Sequence, residues 1–129
     1  MTTLQTVAPS NCFRGDVPLS LAVKAGHFVF VSGIPAFAED GAVAVDDFPA
    51  QLRQVMANID AILREAGGGW DRVVRTRVYL TRPTDVADMN RLYAAHFPDG
   101  KYPARTTLIV QALPRPEFLV EIECEAVLS

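Results

Sequence analysis

The chain has 129 residues and a mass of 14.1 kDa; 50% of its residues are hydrophobic and 21% charged. That is the length of one ordinary domain with enough apolar side chain for a core, so intrinsic disorder is excluded. The net charge of −3 and pI of about 5.3 argue against a generic nucleic-acid or anionic-membrane binder, which would carry a basic balance.

A single domain over residues 1–129 is expected, since no repeat, low-complexity tract or linker divides the chain. No apolar run approaches bilayer-spanning length, and the N-terminal MTTLQTVAPS lacks a basic stretch followed by an apolar one. The expectation is a soluble, cytoplasmic protein.

In chain order, residues 19–23 read as a strand, Lys24-Ala25-Gly26 as a turn and residues 27–31 (HFVFV) as a buried strand ending at Ser32-Gly33. Glu39-Asp40-Gly41 is a second turn signal. Phe48, Leu52, Val55, Met56, Ile59, Ile62 and Leu63 then recur at helical spacing on one face. Asp46 or Asp47 caps that helix, Pro49 suits its first turn and Gly67 ends it.

Residues 73–81 (VVRTRVYLT) alternate as a strand with one buried face. A second helix starts at Thr84 or Asp85, with Val86, Met89, Tyr93 and Phe97 on its inner side, and a Pro-Asp-Gly turn closes it. Residues 105–112 and 118–127 complete the chain as strands, joined by a link short enough for a hairpin. Two or three strands, a helix, a strand, a helix and two strands predict an α+β sheet with both helices on one face. The other face is expected to hold Arg75, Arg77, Arg105, Gln111 and the glutamates at 121, 123 and 125, with Tyr79 and Ile109. It is either solvated or an oligomer interface where opposite charges pair.

Several chemistries are set aside. His27 and His96 have no partners at metal-ligand spacing, and Cys12 and Cys124 make neither a disulfide framework nor a zinc motif. No G-x-S-x-G is present, and Gly67-Gly68-Gly69 follows a helix rather than preceding one, so it cannot cradle a phosphate. Cys124 alternates with core positions and reads as a buried small hydrophobe. What remains is Arg105, whose fork suits a carboxylate, and Glu121, placed to serve as acid, base or water-orienting group. Spacing alone favours a structural ion pair. A hairpin centred near Arg115 sets Arg105 opposite Glu125 and leaves Glu121 roughly 13 Å further along, so a site using both is more natural if two chains contribute.

These residues lie in segments that together resemble the Rid (YjgF-type) reactive-intermediate deaminase family. The matching stretches are PLSLAVKAGHFVFVSG (18–33), EAGG (65–68), MNRLYAAHFP (89–98), PARTTLIVQALP (103–114) and VEIECEA (120–126). The resemblance implies a chorismate-mutase-like α+β fold assembled as a homotrimer around a central barrel, with active sites in the clefts between subunits. It also implies cofactor-free, metal-free hydrolysis of small carboxylate-bearing 2-imino acids and their enamine tautomers, of the 2-iminobutanoate and 2-iminopropanoate type, to 2-oxo acids and ammonia.

Carried over by position, Arg105 matches the arginine that holds the substrate carboxylate, and Glu121 the glutamate that positions or activates water. Ser32 and Asn90 match polar positions near the site. Thr107 lies where some members have a cysteine whose backbone nears the substrate. Leu19 replaces a tyrosine, Leu21 a glutamine and Ile34 another glutamine, which implies a more apolar pocket with one hydrogen bond fewer. Either the substrate has a bulkier apolar side chain or deamination is weakened. Two further readings stand beside a deaminase of this type: a deaminase for an unsaturated amino acid in a degradation pathway, and a non-catalytic trimeric binder or sensor of small carboxylates. Ribonuclease activity finds little support in an acidic chain without a basic, aromatic groove.

Overall fold

The computed structural model describes residues 2–129. Strands β1 (Leu4–Val7), β2 (Ala22–Ala25) and β3 (Phe28–Ile34) precede helix α1 (Phe48–Ala66); β4 (Val73–Leu80), α2 (Val86–Ala94), β5 (Ala104–Ile109) and β6 (Val120–Val127) follow. One six-stranded sheet runs in the order β1-β2-β3-β6-β4-β5, parallel only between β4 and β5. The expected α+β class, with two helices on one side of a sheet, is what the chain adopts. No described helix is long and apolar enough to cross a membrane.

Helix α1 forms where the apolar spacing placed it. Asp47, rather than Asp46, is the cap: its side chain accepts from Ala50 N at 3.1 Å, while Asp46 takes a left-handed turn at φ 57°. Gly67, at φ 102°, turns the chain out of the helix and donates to Arg64 O. Leu52, Val55, Met56, Ile59, Ile62 and Leu63 are all buried, and α1 packs over β3 and β6.

Two polar residues share that buried face. The Gln51 amide donates to Ala44 O and Glu117 O, both at 2.9 Å, and accepts from Leu119 N at 2.9 Å. It thereby pins the segment that leads into β6. Replacing Gln51 with Leu strands two carbonyls and one N–H in the core. We expect Gln51→Leu to lose about 2–4 kcal/mol in urea denaturation; a loss below about 1 kcal/mol would show that these groups find other partners.

The hairpin expected between residues 105–112 and 118–127 does not form. β4 lies between these strands, pairing in parallel with β5 and antiparallel with β6. The cause is helix α2, which acts as the crossover of a β-α-β unit and brings β5 back alongside β4 at the sheet edge. β6 then inserts between β3 and β4, where Val120, Ile122, Cys124 and Ala126 are fully buried.

The facing of β5 is also the reverse of that expected. Arg105, Thr107 and Ile109 stand in register with Thr76, Val78 and Leu80, the β4 residues turned toward the helices. Arg105 therefore lies on the helix side and not on the open face. An edge strand reading RTTLI has no strong alternation, so its parallel pairing, not its pattern, decides its facing. On the open face, Arg77 pairs with Glu125 at 3.0 Å and reaches Glu123 at 4.0 Å, and the Tyr79 hydroxyl donates to Glu123. Phe28 and Phe30 are half exposed on the neighbouring β3.

Candidate active site

Glu121 projects from the central strand β6 and helps to line a cavity of about 440 Å³. Gly33 makes this possible. It sits at the register shift of β3, and a Cβ there would stand only 2.9 Å from Glu121 Oε2. The walls are largely apolar, with Leu19, Leu21, Ile34, Phe13, Phe37 and Phe118 prominent. Burial, with a smaller push from the neighbouring Glu123, raises the Glu121 carboxyl to about 7. Among the described residues it makes no ion pair. A carboxyl half ionised near neutrality is able both to take and to return a proton.

Loops from three parts of the chain are tied down around it. The Asn58 amide on α1 donates to Phe37 O at 2.8 Å and Pro35 O at 3.3 Å. Arg14 donates to Leu19 O at 2.8 Å. Arg115 lies over the rings of Phe37 and Phe118, 5.4 and 5.6 Å from their centroids. Its Nε is ion-paired with Glu117, without the alignment of a hydrogen bond.

Arg105 sits elsewhere. It forms part of a shallow hollow of about 330 Å³ with Asn90, Tyr93, Ala94, Tyr102 and Pro103. Its guanidinium donates to Asn90 Oδ1 at 2.7 Å and lies 5.1 Å above the Tyr93 ring. Tyr93 is in turn fixed by a 2.9 Å hydrogen bond to Thr76. Arg105 has no ion pair among the described residues, so the structural pair with a glutamate that spacing favoured is not made within the chain. A guanidinium fixed by an amide and a ring keeps its full charge for an anion. Thr107 lies on the same side of β5, its Oγ1 buried with no hydrogen-bond partner among the described residues.

Arg105 and Glu121 do not meet within the chain. Arg105 is level with Thr76 and Glu121 with Tyr79, three residues along and two strands across, with the side chains on opposite faces. That is roughly 10 Å in each direction within the sheet. Asn90 joins Arg105, and Leu19, 39% exposed, joins Glu121. The Ser32 hydroxyl is committed to Ser20 O at 2.6 Å and braces the loop behind Leu19. Among the described residues no three His, Cys, Asp or Glu side chains come together to hold a metal. Cys124 is fully buried as its alternation implied, and burial pushes its thiol up to about 12.

Phe13, Phe37, Phe118 and Arg115 were not anticipated, since they lie in loops without periodicity. Gln51 and Asn58 had a usable signal. Each stands three residues after an apolar position of α1, which puts a polar side chain on the inner stripe.

Residues 11–128 match the family described as Endoribonuclease L-PSP. The chain belongs to this family. The Rid/YjgF resemblance carried by its sequence motifs is the same relationship. A RutC family protein of Pyrococcus horikoshii is 43% identical over 123 residues, covering 95% of this chain and 96% of that protein. The crystal structure of a Rid family protein of unknown function from Yersinia pestis superposes with a TM-score of 0.92 at 33% identity, covering 98% and 100% of the two chains. A chloroplastic protein of Arabidopsis thaliana named Reactive Intermediate Deaminase A is 38% identical over 86% of this chain and 59% of its own length. The Rid fold accounts for the sheet order, including the central placement of the glutamate strand.

Proposed function

We propose that this L-PSP family chain is a hydrolytic deaminase that converts reactive 2-imino acids and their enamine tautomers to 2-oxo acids and ammonia. It acts as a homotrimer, with Arg105 of one subunit and Glu121 of the next facing each other across a cleft. The observation that carries this reading is Glu121, a carboxyl lifted to about 7 in a largely apolar cavity. The separation of Arg105 from Glu121 within one chain supports a shared site, as do the half-exposed Phe28 and Phe30 on the open sheet face. The named deaminase among the relatives supports the chemistry.

The mechanism asks little of the protein. Arg105 holds the substrate carboxylate by its fork, steadied by Asn90. Ionised Glu121 takes a proton from water as the oxygen bonds to the iminium carbon, giving a carbinolamine. Glu121 then returns that proton to nitrogen and, ionised again, takes the hydroxyl proton as the carbonyl forms, the C–N bond breaks and ammonia leaves. An iminium carbon is already electrophilic, so positioning water and substrate supplies most of the effect.

The test generates 2-iminobutanoate in situ with an amino-acid oxidase and follows its decay against spontaneous hydrolysis, with mass measured in parallel by light scattering. Accelerated decay by a species of three subunits is expected. A monomer at micromolar concentration would remove the shared site. Absence of acceleration, with 2-oxobutanoate still bound in calorimetry, would leave a carboxylate-binding module.

A further inference from the structure

The cavity beside Glu121 is far larger than a two-carbon substituent requires, and it is of the size that holds whole small molecules. Arg14 and Asp16 stand exposed at its rim, and the polar side chains deeper in it are already engaged. The Asn58 amide is spent on two backbone carbonyls and the Cys12 thiol on Asn58 O at 3.6 Å. Arg115 is paired with Glu117 and stacked on two rings, so it closes one wall rather than offering a second anion site. A polar substrate side chain passing beyond the exposed Arg14 and Asp16 would lose water and find, among the described residues, no free partner apart from the reacting Glu121.

The apolar wall has a particular make-up. Phe13 and Phe37 pack with centroids 4.7 Å apart, and Phe37 meets Phe118 edge to face at 5.2 Å. Phe13 is held against Gly41, where a Cβ would come within 2.7 Å of its ring and where φ is +88°. The bare glycine thereby makes room for the ring. Three rings in tilted and edge-to-face contact present a surface that a further aromatic ring packs against well.

We infer that this pocket selects 2-imino acids with a large apolar side chain, an arylmethyl group above all. The inference rests on the deaminase reading for the chemistry, but the side-chain preference itself is a property of the cavity and is measurable without turnover. One arm compares kcat/KM for the imines formed in situ from phenylalanine and from 2-aminobutyrate, corrected for spontaneous hydrolysis. The other compares calorimetric affinities for 3-phenyl-2-oxopropanoate and 2-oxobutanoate.

At least about tenfold in favour of the aromatic compound is expected in both arms, since each methylene accommodated in such a pocket is worth ~10-fold or more. Phe13→Ala is expected to lower that ratio roughly fivefold by removing a ring contact. Leu19→Trp is expected to lower it by filling the space, so the two variants reach the same result by opposite changes of volume. Should neither imine be turned over while the aromatic 2-oxo acid still binds about tenfold more tightly, the deaminase reading falls and the pocket assignment stands. Equal affinities and equal rates for the two compounds, or a ratio indifferent to both variants, would overturn it.

Discussion

Glu121→Gln is expected to bring imine hydrolysis down to about the spontaneous rate, a loss on the order of 10²–10⁴-fold. Glutamine keeps the size and hydrogen-bonding reach of the side chain beside Gly33 but cannot take a proton from water. In the wild type, the rate should rise with pH through about 7, because Glu121 acts as base only when ionised and its carboxyl is held at about 7. A rate that falls through the same range would make Glu121 an acid instead.

The same residue sets a stability signature of definite sign. The folded-state value is raised above the ordinary 4.5, so the native chain binds the extra proton between those two values. The contribution is fully present below the ordinary value and is lost as pH rises through about 7. Above 7 the buried, unpaired charge costs the native state about 1 kcal/mol, allowing for solvent screening. Glu121→Gln should therefore be the more stable protein at pH 8, by about that amount in urea denaturation. Equal stability at pH 8 would mean that burial does not strain this carboxylate.

Arg105→Ala is expected to weaken 2-oxo acid binding by on the order of 10²-fold, about 3 kcal/mol, through loss of the anchoring guanidinium. The fold should survive, since Arg105 is exposed and its contacts are to Asn90 and one ring face. Arg105→Lys should recover only part of the affinity, because an ammonium cannot make the forked contact. The strongest form of the experiment mixes subunits. Arg105→Ala and Glu121→Gln proteins, each inactive, should regain about a quarter of wild-type activity after random reassembly, since that share of clefts receives both native residues. A mixture that stays inactive while mixed assemblies form would place the two residues in separate sites.

Much of this was legible from residue order. The stripe from Phe48 to Leu63 and its Gly67 stop located α1, and the alternation of β6 separated buried Cys124 from the outward glutamates. The motifs around Arg105 and Glu121 pointed to the family before any contact was known. Loop residues were not legible: Phe13, Phe37 and Arg115 carry no period, and only their packing against one another reveals a pocket.

The sequence by itself determined the elements, because helix and strand periods are local, and it singled out Arg105 and Glu121 as the candidates for the chemistry, because they lie in ordered motifs. Only the tertiary structure decided that β4 separates β5 from β6, that Arg105 turns toward α2, and that burial beside Gly33 raises Glu121. Strand neighbours, edge-strand facing and desolvation all depend on segments far apart in the chain, and no local spacing encodes them.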